Sequence, residues 1–272
     1  MTTGSRELRA DTVTFGTSKV TQGTRAVPVE MPIEIVYGTI PYAVMMVTPD
    51  NVEDFVYGFS LTEGVIASRS DIRDLKVEPH PKGLRALIDL VPERLSTHLS
   101  RQRAMTGRTG CGVCGIDDIN ALPEASAKVT KGPEIDHSAI NHAIQDLSTH
   151  QPLNNITRAV HAAAWCDLNG NVLITREDVG RHNALDKLIG VMLQQAINPL
   201  SGFILITSRC SYEMIEKTAA FGASTVVAIS APTSLAIERA EALGITLYAI
   251  ARADSATQFS GFQPDYLLEK CA

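Results

Sequence analysis

Residues 107–118 read GRTGCGVCGIDD, which places Cys111 and Cys114 two residues apart among Gly107, Gly110, Gly112 and Gly115, with Arg108 just ahead. The thiolate is the reactive form of cysteine. Arg108, with Arg101 and Arg103 behind it, is placed to lower a thiol pKa from its free value of about 8.5, because a nearby cation stabilises the charged sulfur. The glycines give the backbone freedom. A reactive thiol on a flexible arm suits a carrier that takes a sulfur atom as a persulfide from one partner and hands it to another.

Other chemistries compete for the pair. A structural zinc site needs four ligands, usually two such pairs or one pair with histidines at tight spacing. This chain has one pair, and His137 and His142 match no common finger. A thioredoxin-type dithiol sits between a strand and a long helix at the start of a βαβ unit, whereas this pair follows two hairpin signals. A zinc deaminase carries P-C-x-x-C after an upstream H-x-E, but Gly110 precedes Cys111, and neither His80 nor His98 has glutamate two residues on. An inert pair in a loop is the remaining alternative. Cys166, Cys210 and Cys271 stand alone; the first two lie near apolar runs and read as small core residues, and the third belongs to the terminus.

A second polar run, EDVGRHNALDK at 177–187, opens a helix. Glu177 and Asp178 could accept from the N1 and N2 donors of a guanine, and His182 or Lys187 could meet phosphate at a helix start. The competing reading is a capped helix in which Asp178 and Arg181 satisfy each other or the backbone. His161, ahead of three alanines, reads as packed. Ser208-Arg209, at the end of a strand, reads as a ligand candidate.

These residues need elements to hold them. Ile33–Val47 is a hairpin around Gly38-Thr39, followed by a helix that Asp50 caps, with Glu53 in a capping box, ending at Gly64. Strands 74–78 and 84–91 flank the turn at 79–83. From about 95 to 133 the pattern dissolves into a loop with at most one short helix. A helix over 136–148, capped by Asp136, leads to strands 159–166 and 171–175. Leu185, Leu188, Ile189, Met192 and Leu193 form one apolar stripe on the next helix. The last third alternates strand 203–207, helix 212–221, strand 225–229, helix 233–243 and strand 245–250, which predicts a parallel sheet with right-handed crossovers. Ligands of such sheets bind beyond the carboxyl ends of the strands. The division expected is a mobile N-terminal segment (1–27), a β-hairpin and helix subdomain (28–94), a mobile loop carrying C-x-x-C (95–133) and an α/β core (134–272).

The formal net charge of −6 and the lack of a sustained basic stripe exclude general nucleic-acid binding. With 44% hydrophobic and 20% charged residues the chain reads as a soluble globular protein. The N-terminal stretch lacks an apolar run of signal-peptide length, and no run is long enough to cross a bilayer, so the protein is expected in the cytoplasm, away from membranes.

TGRTGCGVCG, HAAAW at 161–165, EDVGRHNALDKLIG at 177–190 and SRCSYEM at 208–214 together resemble the formate dehydrogenase accessory sulfurtransferases, the FdhD family; GFSLTEGVI at 58–66 extends the resemblance. It implies a homodimer with a cytidine-deaminase-like α/β core and no catalytic zinc. It implies a sulfurtransferase that takes sulfur from a cysteine desulfurase and delivers it to the molybdenum of a bis(molybdopterin guanine dinucleotide) cofactor, the bound substrate, for the formate dehydrogenase apo-enzyme. Cys111 matches the persulfide-carrying cysteine and Cys114 its partner. The cofactor-binding segment falls on Ile250, Ala251, Arg252, Ala253, Asp254 and Ser255, where GDP-like nucleotides would mimic the cofactor. Family members commonly carry a Gly or Pro-Gly step there and a second basic residue at its end; this chain keeps Arg252 but has Ala253, Asp254 and Ser255. The rival function is a non-catalytic, cofactor-binding chaperone for a molybdoenzyme.

Overall fold

The computed structural model describes residues 4–17, 19–102 and 128–262. Strand β1 (Ser5–Thr14) pairs antiparallel with β2 (Lys19–Pro28) as a long hairpin. The sequence reading names no element here. The hairpin escaped notice because its side chains are mostly exposed, so no alternation of buried and exposed residues marks it.

The next strands, β3 (Met31–Tyr37) and β4 (Ile40–Val47), form the hairpin expected at Gly38-Thr39. Helix α1 (Val52–Thr62) follows, but Asn51 and not Asp50 is its N-cap, with φ 56° and no side-chain cap bond. Asparagine tolerates this left-handed conformation better than most residues. Strands β5 (Ile72–His80) and β6 (Gly83–Leu90) complete a four-stranded sheet in the order β4-β3-β6-β5. Helix α2 (Pro92–Gln102) ends this part of the chain.

Beyond residue 128, α3 (His137–Asp146) starts at Asp136, whose carboxylate accepts from the Ser138 amide as expected. A short helix, α4 (Pro152–Thr157), precedes β7 (His161–Asp167), β8 (Val172–Asp178) and α5 (Arg181–Gln194). Then come β9 (Gly202–Ile206), α6 (Tyr212–Phe221), β10 (Thr225–Ala228), α7 (Ser234–Leu243), β11 (Thr246–Ala249) and the two-residue β12 (Thr257–Gln258). The β9-α6-β10-α7-β11 run is the alternation read from the sequence, and its strands pair in parallel. The whole sheet runs β12-β11-β10-β9-β7-β8.

Both faces of this sheet are covered, so β9 and β10 are buried at every residue and, apart from Thr225, carry no polar side chain. Ile140, Ala143 and Leu147 pack with Phe203, Leu205 and Tyr248 on one face. On the other, Leu185, Leu188, Met214 and Leu243 join a core that also takes in Ile35, Phe55 and Ile88 of the four-stranded part. Helix α5 is therefore buried nearly all round, from Asn183 to Met192. Its closest neighbour is α1: a Cβ on Gly58 would fall 1.7 Å from the Asp186 carbonyl oxygen, and one on Gly190 would fall 1.7 Å from that of Asp54. Glycine at both places is what lets the two helix backbones meet.

Candidate functional site

Strand β8 runs antiparallel to β7, and β7 runs antiparallel to β9, so β8, β9, β10 and β11 all end on one edge of the six-stranded sheet, where β7 begins. Topology thereby collects the motifs that lie far apart in sequence. His161, the turn Val179–Asn183, Ser208-Arg209, Ser230-Ala231 and the segment after Ala249 share this carboxyl edge, the place where sheets of this kind bind ligands.

The segment Ile250–Ser255 leaves β11 through a sharp turn. Ile250 has φ 52°, a left-handed conformation that a β-branched residue rarely adopts and that costs on the order of 1–3 kcal/mol. Backbone bonds hold it there: Ile250 N donates to Ser230 O at 3.1 Å, Ala251 N to Ala228 O at 3.2 Å and Arg252 N to Ser255 O at 2.7 Å. Arg252 Nη1 donates to the carbonyls of Ile229 and Ala251, the latter at 2.8 Å. Arg252, Asp254 and Ser255 then face α3 across a cavity of about 400 Å³, which His137 and Tyr248 also line. Those two rings meet edge to face at 5.9 Å. The pocket combines one guanidinium, two aromatic rings and a polar loop at a size suited to a small ligand.

At the other end of the edge, most polar groups of EDVGRHNALDK are already committed. Glu177 accepts from the Leu153 and Asn154 amides at 2.9 and 2.8 Å, satisfying the start of α4. Burial pushes its pKa up, against these two bonds. Asp178 accepts from Thr48 N, Gly180 N and Asn183 Nδ2, and pairs with Lys187 at 2.7 Å with both side chains fully buried. Lys187 also donates to Thr48 O at 2.8 Å, and burial pulls its pKa down while Asp178 opposes the shift. Asp186 accepts two bonds from Lys217, both at 2.8 Å. Glu177, Asp178 and Lys187 thus bind neighbouring elements, not guanine or phosphate.

Arg181 and His182 are the exceptions. Arg181 Nε and His182 Nε2 are buried and lack a hydrogen-bond partner. Both residues line a cavity of about 780 Å³ between β4 and the amino end of α5. Burial, helped by the charge on Arg181, drops the His182 pKa to about 4, so its imidazole is neutral near pH 7. Burial and Arg181 also lower that of His161. Burial opposes ionisation of Glu213, yet hydrogen bonding at Ser211 and at its own amide, with His182 and Arg181 nearby, holds its pKa below the usual range. Of the two alternatives read from the sequence, Asp178 takes the backbone one, accepting the Thr48 and Gly180 amides, and its ion pair is with Lys187 instead of Arg181.

The chain matches the FdhD/NarQ family over residues 28–264. It belongs to that family. The sulfur carrier protein FdhD of Xanthomonas euvesicatoria pv. vesicatoria (strain 85-10) is 46% identical over 226 residues, 83% of this chain and 80% of that one. The protein of the same name from Bordetella petrii is 40% identical over 231 residues, 85% and 83% of the two chains. A chain from Desulfotalea psychrophila described as a formate dehydrogenase accessory protein shares the fold, with a TM-score of 0.71 at 23% identity over 96% of this chain and 98% of its own.

The FdhD/NarQ match takes in every site residue named from the sequence. Cys111 and Cys114 lie outside the described residues, as do Arg103 and Arg108. Ile250–Ser255 is described and borders a pocket. Ser208 is buried and donates to the Arg209 carbonyl at 3.0 Å, which leaves Arg209 as the exposed member of that pair. Cys166 and Cys210 are buried, as expected; burial raises both thiols, Cys210 to about 12, which keeps them protonated and inert. Sequence reasoning passed over Glu213 and the part of β4 that faces Arg181. Glu213 stands three residues after Cys210, in the first turn of α6, where an acidic residue is unremarkable by itself.

Proposed function

We propose that this chain is a cytoplasmic sulfurtransferase with a cytidine-deaminase-like core. It accepts sulfur from a cysteine desulfurase as a persulfide on Cys111, with Cys114 as exchange partner, and passes it to a molybdenum bis(molybdopterin guanine dinucleotide) cofactor used by formate dehydrogenase. The observation that carries this reading is the membership of the chain in a family whose relatives, 40–46% identical, are named sulfur carrier proteins. Among the described residues no helix is long and apolar enough to cross a membrane. The pocket at Arg252 supports the cofactor part: a guanine base would meet Tyr248 and His137, and a diphosphate would meet the guanidinium.

Mass spectrometry after incubation with a desulfurase and free cysteine tests the carrier reading. A gain of about 32 Da, one sulfur atom, is expected on the wild-type chain and is absent from Cys111→Ala. An unchanged mass in the wild type, with guanine nucleotide still bound, would leave a cofactor-binding chaperone in its place. Titration with GDP tests the pocket: Arg252→Ala should weaken binding about tenfold, the worth of one charge-assisted contact. Equal affinity for ADP would remove guanine selectivity.

A further inference from the structure

The cavity beside Arg181 has no task in the reading above. Within EDVGRHNALDK the carboxylates and Lys187 are held by bonds that pin α5 to its neighbours. Arg181 and His182 are adjacent, half-buried, and each hides a nitrogen with no partner. Buried donors without partners are rare in native proteins and ask for an explanation. Turning either side chain toward a guest would break no bond at these two atoms.

The walls say which guest fits. On the β4 side Val44 and Met46 are 59% and 46% exposed, and Val179 adds a third apolar surface. Among the described residues that line the cavity, Arg181 is the one cation. Glu34 is held by Arg85 at 2.6 Å, and Glu30 is exposed to solvent. Glu213, behind His182, is ionised. A diphosphate would bring two or more negative charges to one guanidinium with carboxylates around it. A large, weakly hydrated, singly charged anion would match the single cation, keep its bulk against Val44 and Met46, and take an N–H from a neutral imidazole without adding charge. Among the described residues no group of three His, Cys, Asp or Glu side chains is placed to hold a metal ion, so the cavity is not a metal-ligand set.

We propose that this cavity is a binding subsite for a singly charged sulfur anion, the thiolate or persulfide terminus of a sulfur compound, held by Arg181 and His182. The choice of sulfur rests on the reading of the chain as a sulfur carrier. The subsite lies on the same sheet edge as the Arg252 pocket, four strand spacings away, on the order of 19 Å. A nucleotide end and a sulfur end therefore occupy different places.

Thiocyanate, a monovalent sulfur anion that carries no transferable persulfide, is the probe, and the full chain with Cys111→Ala and Cys114→Ala is the protein. Isothermal titration should show saturable binding that pyrophosphate does not compete away. Adding Arg181→Gln should weaken it about tenfold or more. Arg181→Lys, which keeps the charge but loses Nε, should fall between. Thiocyanate affinity unchanged in Arg181→Gln, absence of saturable binding, or displacement by pyrophosphate would each overturn the subsite. The carrier reading fails separately: a wild type, cysteines intact, that takes up no sulfur from the desulfurase defeats the carrier role whatever thiocyanate does.

Discussion

At the scale of single residues, the polar run at the start of α5 divides into groups that hold the fold and groups that face a cavity. Lys187 and Asp178 belong to the first: both are fully buried, 2.7 Å apart, and reach Thr48 at the end of β4. Removing one partner of such a pair strands the other charge. Lys187→Met should therefore cost about 3–5 kcal/mol in a urea unfolding experiment, and a loss below about 1 kcal/mol would mean that Asp178 is satisfied by its amide donors alone. His182 belongs to the second group. The unfolded chain takes up a proton at the ordinary value of 6.5, whereas the folded protein resists until about 4. The unfolded state binds more protons in that window, so stability is complete above it and falls as the pH drops through it. The loss attached to His182 should be on the order of 3 kcal/mol. Thermal midpoints measured from about pH 7.5 to about pH 4 should fall less steeply in His182→Gln than in the wild type; parallel curves would show that the folded protein charges this imidazole normally.

At the scale of elements, the amino end of α5 is placed by what α5 packs against. Its contact with α1 goes through Gly58 and Gly190, where an added Cβ would collide with a carbonyl at 1.7 Å in both directions. Alanine in place of an interior helical glycine ordinarily gains up to about 1 kcal/mol. Here the sign should reverse, with Gly58→Ala and Gly190→Ala each losing about 2–3 kcal/mol through the forced separation of the helices. Thermal unfolding of the two variants decides it, and a stabilised variant would mean that the helices part without cost. Elements with local signals were legible in the sequence: Asp136 and Thr233 cap α3 and α7 through bonds within two or three residues, and α6 runs from Tyr212 to Phe221 as its pattern predicts. Helix α4 was missed because its first amides are satisfied by Glu177, more than twenty residues away.

At the scale of the whole molecule, the four-stranded and six-stranded sheets share one hydrophobic core, in which Ile35, Phe55 and Ile88 join Leu188, Ile204 and Val226. Thr48 and Asp178 also join the two sheets through a buried amide bond of 2.9 Å. A common core predicts common unfolding. Trp165, the single tryptophan, is 1% exposed in β7 and reports on the larger sheet. Its fluorescence and the far-ultraviolet circular dichroism of the whole chain should follow one urea transition. If the tryptophan signal persisted after a first loss of dichroism, the two sheets would be separate folding units despite their shared core.

By itself, the sequence determined what is local. The periodicity of residues 203–250 set a parallel alternation, and C-x-x-C with its three companion motifs named the family, because both depend on residue types at fixed short spacing. What only the tertiary structure decided is which charges have work elsewhere. Nothing in EDVGRHNALDK distinguishes Asp178, which reaches a lysine and a strand end 130 residues away, from Arg181, which makes neither bond. Spacing along a helix says which side chains share a face, but the partner that uses up a charge comes from another element. That partner is placed by the packing of α1 on α5 and of one sheet beside the other, and so the difference between a structural ion pair and an uncommitted guanidinium appears only once the chain is folded.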